Sequence, residues 1–292
     1  MTRALFRSPT GLIGLTSLTL LVLTAVVSWV WTPHDPLAVD PAAGWLPFSP
    51  DHPLGTDSLG RDQLSSVLVG ARVTLVATLL ATGIAAFLGI IIAIVLSIVP
   101  PTLSAFLQRL VDVSIAFPTL IVAIILVTGF GASTLIASIS IGLSASVIIA
   151  RTVLPELRRA QKSDFVLLAR AAGAGRARIL RVHVLPAIAP TFIVRTSQVM
   201  ASAALAEAGL SYLGFGTPPP TPSWGRSLAD LQSQILTRPE YLIAPALAIV
   251  IVVVGLNLLG DALRDGLLPR AHRTRTTTPS STDPSRKATV AS

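Results

Sequence analysis

The chain has 292 residues, no cysteine, 52% hydrophobic residues and only 12% charged ones, with a mean hydropathy of +0.73. A soluble domain is typically about 25% charged, so the composition points to a polytopic membrane protein, and the lack of cysteine excludes disulfides and thiolate metal sites. The net charge of +8 raises nucleic acid as a partner, but the basic residues sit in loops and tails beside apolar runs, without stacking aromatics, which fits orientation in a membrane and argues against nucleic acid.

Residues 1–10 form a short N-terminus with Arg3 and Arg7. Residues 11–31 are an apolar run of about the length a bilayer requires. The apolar part is too long for a signal peptide and no A-x-A site follows. It is read as the first span, N-terminus inside, with Trp29 and Trp31 at the outer interface. Residues 32–72 are an outer loop rich in Pro and Asp. Within residues 52–75, HPLGTDSLGRDQLSSVLVGARVTL, Gly55, Asp57, Gly60 and Asp62 predict turns with side-chain to backbone hydrogen bonds. Asp57 and Asp62 are placed to pair with Arg61.

Residues 73–99 read as the second span, ended by Pro100 and Pro101, and residues 102–112 as a short inner connection. The third span covers 113–130, with Pro118 kinking it. After an outer turn at 131–133, residues 134–150 form the fourth span. It carries Ser138, Ser140, Ser144 and Ser146. Small residues in a span favour close helix packing; a polar stripe along a pathway, with Ser144 in it, is the alternative.

Residues 151–190 are the only long polar stretch between two membrane-length apolar ones. They carry Arg151, Arg158, Arg159, Lys162, Arg170, Arg176, Arg178 and Arg181 against two acids, Glu156 and Asp164. Such an excess marks the cytoplasmic side. Ser163 is the expected N-cap of a short amphipathic helix, with Asp164 at its positive end. Phe165, Leu168 and Ala172 then share a face, and Gly173 is a natural stop. A second run, 176–184, is expected to end before Pro186. A basic loop lying on anionic lipid is the alternative reading of this stretch.

The fifth span, 191–210, holds Arg195, Gln198 and Glu207. Arg195 is near enough to the inner end to snorkel. Glu207 lies near the outer end, where an ionisable residue signals either function or a partner for another buried polar group. Prolines and glycines make residues 211–240 a rigid outer loop. Gly214-Phe-Gly216 is no nucleotide fingerprint, because no strand precedes it and Pro follows. The sixth span is 241–260. Asp261, Arg264 and Asp265 are spaced for a helical ion-paired cluster at the inner surface. Residues 271–292, rich in Thr, Ser and Pro, read as a disordered cytoplasmic tail. The outer loops carry only Arg61, Arg72, Arg226 and Arg238 against seven acids, as six spans with both ends inside require.

Four blocks carry a resemblance. The stretch ARAAGAGRARILRVHVLP resembles the cytoplasmic "EAA" loop of ABC importer permeases, with Gly173 at its glycine and Leu185 and Pro186 as its closing pair. Leu167 stands where the glutamate that names the motif is found. The other three are HPLGTDSLGRD, LSYLGFGTPPPTPSWG from Leu210, and NLLGDALRDGLLPR, in which Leu268 stands where the family pattern has its final Asp. They resemble blocks of the second-type permease subunits of dipeptide, oligopeptide and nickel importers. The resemblance covers residues 52 to 270. It implies an all-helical type I importer permease fold with six transmembrane helices, a permease core over 73–270 and a cytoplasmic coupling helix. It further implies that Asp164, Phe165, Leu168, Arg170, Ala171, Ala172, Gly173, Leu185 and Pro186 couple to an ATPase. Gly55, Thr56, Asp57, Gly60, Arg61, Asp62, Trp224 and Gly225 would form the side facing an extracytoplasmic binding protein. Ser144, Gln198 and Glu207 are the pathway candidates.

The chemistry the residues exclude agrees with that role. Of two lysines, Lys162 and Lys287, neither follows a P-loop. His34, His52, His183 and His272 show no metal-ligand spacing. No histidine lies in a span to serve Ser144 as a base. The residues give this chain no P-loop, and the resemblance implies that ATP and magnesium belong to partner subunits, with no cofactor in this chain. Moving a two-state protein from 1:99 to 99:1 takes about 5.5 kcal/mol, whereas an exposed ion pair offers about 0–1 kcal/mol. An apolar helix face seated in a partner's groove suits that task better than the arginines do, with Gly173 allowing close backbone approach. The partners that the resemblance implies are a homologous permease, two ATP-binding subunits and an extracytoplasmic substrate-binding protein, with membrane lipid around them, in a bacterial inner or plasma membrane. The rivals are a nickel permease of the same branch and a membrane scaffold or sensor without a pore.

Overall fold

The structure is a computed structural model and describes residues 8–267. The expectations for Arg3, Arg7, His272, Lys287, the Leu268 turn and the 271–292 tail lie outside the described residues. Ten α-helices carry the described fold: α1 Pro9–Val30, α2 Gln63–Ile98, α3 Pro101–Ala116, α4 Thr119–Phe130, α5 Thr134–Gln161, α6 Asp164–Ala171, α7 Arg176–Ile179, α8 Leu185–Tyr212, α9 Trp224–Leu231 and α10 Glu240–Leu267. The run 176–212, α1, α2, α5 and α10 are each long and apolar enough to cross a membrane, and α3 with α4 make a sixth crossing if that bent pair counts as one.

α2 and α5 form the most extensive helix pair, and α8 packs against both. Small residues bring the axes together. A Cβ on Gly89 would lie 2.8 Å from the Ser146 carbonyl oxygen, and one on Gly142 would lie 2.9 Å from that of Ala81. α1 meets α10 in the same way, through Gly14 and Ser17 against Gly255 and Leu259. Close backbone approach of this kind is how helices associate where lipid offers no hydrophobic drive. Ser138, Ser140 and Ser146 are buried, and with Ser144 they donate to carbonyls of their own helix. The packing reading of that serine series therefore accounts for it.

Several boundaries differ from the sequence expectation, each for a physical reason. α2 begins at Gln63, ten residues before the apolar run at 73, because the Asp62 carboxylate caps it by accepting from Ser65 N at 2.8 Å. The third span is not a kinked 113–130 helix. Phe117 and Pro118 separate α3 from α4 at 86°, and α3 takes up the residues expected as an inner connection. α5 runs through Pro155 to Gln161, so basic residues expected in a loop lie on its last turns. The helix after α7 does not end before Pro186. A π-helical segment, Leu180–Val184, widens the backbone just there and the helix continues as α8, since a wider turn leaves room for a proline ring without an N–H partner. The loop 211–240 contains α9. Asp261, Arg264 and Asp265 form no ion pair among the described residues.

Candidate functional site

Helix order places the functional candidates at two ends of the bundle. One end holds residues 31–62, α9 and the start of α10; the other holds residues 97–104 and 158–184.

At the basic end, α6 is seated by Val166, with partly buried Ala169 packed on the same cluster. Val166 is fully buried in a cluster with Leu157, Ile179 and Val184. Its neighbours face outward: Phe165 is 45% exposed, Leu167 53% and Leu168 72%. Asp164, Arg170, Ala171 and Ala172 are exposed as well. Ser163 occupies the N-cap position, yet its hydroxyl donates back to the Ala160 carbonyl at 2.6 Å and makes no cap bond. The other end of α6 is closed by a full Schellman motif. Ala174 N–H reaches the Ala169 carbonyl and Gly173 N–H that of Arg170, both at 3.0 Å, and Gly173 has φ +81°. Positive φ explains the glycine. Among the described residues nothing lies within 4 Å of where its Cβ would be, so none of their backbone approaches it. Leu185 is partly buried against the cluster that holds Val166, whereas Pro186 is exposed.

Behind α6 lies a polar joint that the sequence did not signal. Arg158 donates to Ser104 Oγ at 2.7 Å and to the Leu96 carbonyl at 3.2 Å, and Ser104 Oγ donates to the same carbonyl at 2.6 Å. Gln161 Nε2 adds a bond to Ser97 Oγ at 3.0 Å. A cation at the carbonyl end of α2 is favoured by the helix dipole. The joint ties α2, α3 and α5 directly beside α6.

At the other end, the two blocks expected to face a binding protein are brought together. Trp224 is buried and donates Nε1–H to the Val67 carbonyl at 2.9 Å. A Cβ on Gly225 would lie 2.0 Å from the Ala208 carbonyl oxygen. Buried Thr56 donates to the Ala43 carbonyl at 2.6 Å and accepts from Leu46 N at 2.8 Å. Asp57 accepts from Leu59 N and Arg61 N. Gly55 and Gly60 turn the chain at φ +72° and +76°. The pairing expected for Arg61 is half corrected: Asp57 Oδ2 lies 4.0 Å from Arg61 Nε, while Asp62 turns away to cap α2 and to meet His52. Between the blocks is a polar cavity of about 310 Å³, lined by residues that include Asp57, Arg61, Gln63, Pro220, Arg226 and Asp230. Gln63 Oε1 and Arg61 Nε are buried there without a hydrogen-bond partner among the described residues.

The three pathway candidates are not joined to one another. Ser144 bonds its own helix, and Gln198 accepts from Arg195 at 2.9 Å. Glu207 is only 1% exposed. Its carboxylate accepts from Ser211 Oγ at 2.7 Å and from Thr74 Oγ1, on α2, at 3.2 Å. Of the two readings offered for Glu207, the geometry favours a clamp between α2 and α8. Ser211 was legible as a neighbour four residues on; Thr74 was not, because only packing brings it there.

The family model described as "Binding-protein-dependent transport system inner membrane component" matches residues 62–273. The nickel transport system permease protein NikC of Escherichia coli is 34% identical, over 88% of this chain and 93% of NikC. The probable peptide ABC transporter permease protein y4tQ of Sinorhizobium fredii is 37% identical, over 82% of each chain. Among solved structures, the MetNI methionine ABC transporter in an inward-facing conformation aligns with a TM-score of 0.58, over 70% of this chain and 97% of that one. At 17% identity, this last likeness concerns the fold alone.

Proposed function

The chain belongs to the family of binding-protein-dependent transport system inner membrane components, and from that premise we propose that it forms one half of a peptide translocation path and receives its driving force through α6. The other half is a homologous permease. Two ATP-binding subunits, which hold the ATP and magnesium, sit against the basic end, and an extracytoplasmic binding protein docks over the cavity between the two outer blocks. The basic end faces the cytoplasm on this reading, supported by the arginines of residues 151–181 and the acids of residues 32–62. Both termini are then cytoplasmic.

The observation that carries the reading is the outward apolar face of α6, whose inner side is seated by buried Val166 with partly buried Ala169 beside it. Covering a Phe or Leu side chain stabilises by roughly 1.5–3 kcal/mol. Two or three such side chains reach the scale of the roughly 5.5 kcal/mol that a full population shift requires. The joint at Arg158 gives motion of α6 a route into α2, α3 and α5. Substrate crosses between the two permeases as ATP binding draws the partner subunits together and reverses the side to which the cavity opens. The test is uptake of a labelled dipeptide by vesicles carrying the complete transporter with Leu168→Asp in this chain. Uptake is expected to be lost while the complex still reaches the membrane; undiminished uptake contradicts the proposal. ATP-binding subunits that do not co-purify with the wild-type chain would support the scaffold reading instead.

A second reading, nickel as substrate, is favoured by the similarity to NikC. Peptide is preferred because the relative with the higher identity of the two is named for peptide. Uptake of labelled nickel without uptake of dipeptide would reverse that preference.

A further inference from the structure

No metal spacing is visible in the sequence, yet folding brings His34, His52 and Asp62 together, with one donor atom from each lying within 4.8 Å of the others. We propose that these three residues bind a divalent transition-metal ion such as zinc, nickel or cobalt. The proposal is independent of what the transporter carries.

Three observations support it. First, the donors already converge. Asp62 Oδ1 lies 3.0 Å from His52 Nδ1 and 3.8 Å from His34 Nδ1. Two ligands bound at about 2.1 Å to a tetrahedral or octahedral ion sit roughly 3.0–3.4 Å apart, so His52 and Asp62 are already at that separation, His34 closes on Asp62 by about 0.4–0.8 Å, and the two imidazoles, stacked at 4.5 Å between centroids, turn to aim both donors at the ion. Second, the carboxylate is already oriented. Its Oδ2 accepts from Ser65 N and Ser65 Oγ at 2.8 and 2.7 Å, and Ser65 Oγ accepts from His34 N at 3.0 Å. Outer hydrogen bonds of this kind fix a ligating group before the ion arrives. Third, the buried charge lacks a full cation. The Asp62 side chain is 1% exposed, and no Lys or Arg among the described residues pairs with it. A buried carboxylate calls for a compensating charge, and apart from the start of α2 only the two imidazoles are at hand.

The donor set is two imidazole nitrogens and one carboxylate oxygen. It suits borderline divalent ions and leaves coordination positions for water. His34 is 43% exposed in its side chain, which gives an ion a way in from solvent. Binding replaces the hydrogen bond between His52 Nδ1 and Asp62 by two metal bonds, and it releases any proton held on the ligating nitrogens. Because His34 follows α1 and Asp62 begins α2, the ion would fasten the intervening loop to both helices.

The experiment uses the full chain purified in detergent through a tag that contains no histidine, then stripped with a chelator. Co²⁺ and Zn²⁺ are titrated in turn, followed by visible absorption for cobalt and calorimetry for both. The expected result is one saturable site per chain, with affinity reduced at least tenfold in His34→Gln and in His52→Asn and retained in His183→Gln. Zinc should also raise the unfolding temperature of the wild type and leave that of the two ligand variants in place. This separates loss of the site from loss of the fold. Absence of a saturable site would overturn the proposal, as would unchanged affinity in both ligand variants. Equal binding of Mg²⁺ would overturn the assignment to transition metals.

Discussion

The two ends of the molecule are built on opposite principles. At the end holding residues 31–62, the polar groups look inward: Asp62 caps α2, Thr56 stitches its loop, Trp224 bonds Val67 and Glu207 joins α2 to α8. At the basic end the polar joint lies behind α6, and α6 itself shows Phe165, Leu167 and Leu168 to its surroundings. One end is largely complete within this chain, while the other leaves an apolar face that a partner would cover. Substitutions at the first should register as stability, and substitutions at the second as coupling.

The sharpest way to break that contrast is Gly225→Ala. The added methyl would meet the Ala208 carbonyl at 2.0 Å, where only a backbone shift relieves the contact. The expected loss is about 3 kcal/mol or more, seen as lost thermal stability in detergent. Next is Glu207→Ala, which strands two buried hydroxyl donors, Thr74 and Ser211. A loss of about 2–4 kcal/mol is expected, and Glu207→Gln, which keeps an acceptor, should recover part of it. Asp62→Ala removes the α2 cap and should cost about 1–2 kcal/mol in the same assay.

These effects also show what the sequence could and could not disclose. Apolar runs and proline-rich loops were visible as local pattern, and so was the amphipathic stretch beginning at Asp164. Tertiary partners were not. Thr74 and Glu207 are 133 positions apart, and no local signal marks them as a pair. Arg158 looked like one loop charge among several until α5 proved long enough to carry it to the carbonyl end of α2. His34, His52 and Asp62 escaped notice because ligand spacing rules describe single loops, whereas this cluster is assembled by a turn. Proline misled in both directions. Pro118 breaks the chain at 86° where a kink was expected, and Pro186 is carried through a helix by the π-helical segment before it.

The smaller effects belong to the basic end. Gly173→Ala forces a side chain to φ +81° and should cost about 1 kcal/mol, measured as unfolding temperature. Leu168→Ala should change stability by no more than about 0.5 kcal/mol, since its side chain is exposed, and yet it should reduce ATP-driven uptake. Loss of stability without loss of uptake there would erase the contrast between the ends.

Because the chain has no cysteine, one introduced thiol reports unambiguously on its surroundings. The most direct measurement is crosslinking from Leu168→Cys in native membranes of cells carrying the whole transporter. A crosslink to an ATP-binding subunit that changes in yield when ATP is added is the predicted result. Labelling of that thiol by a membrane-impermeant reagent applied from outside intact cells would contradict the account.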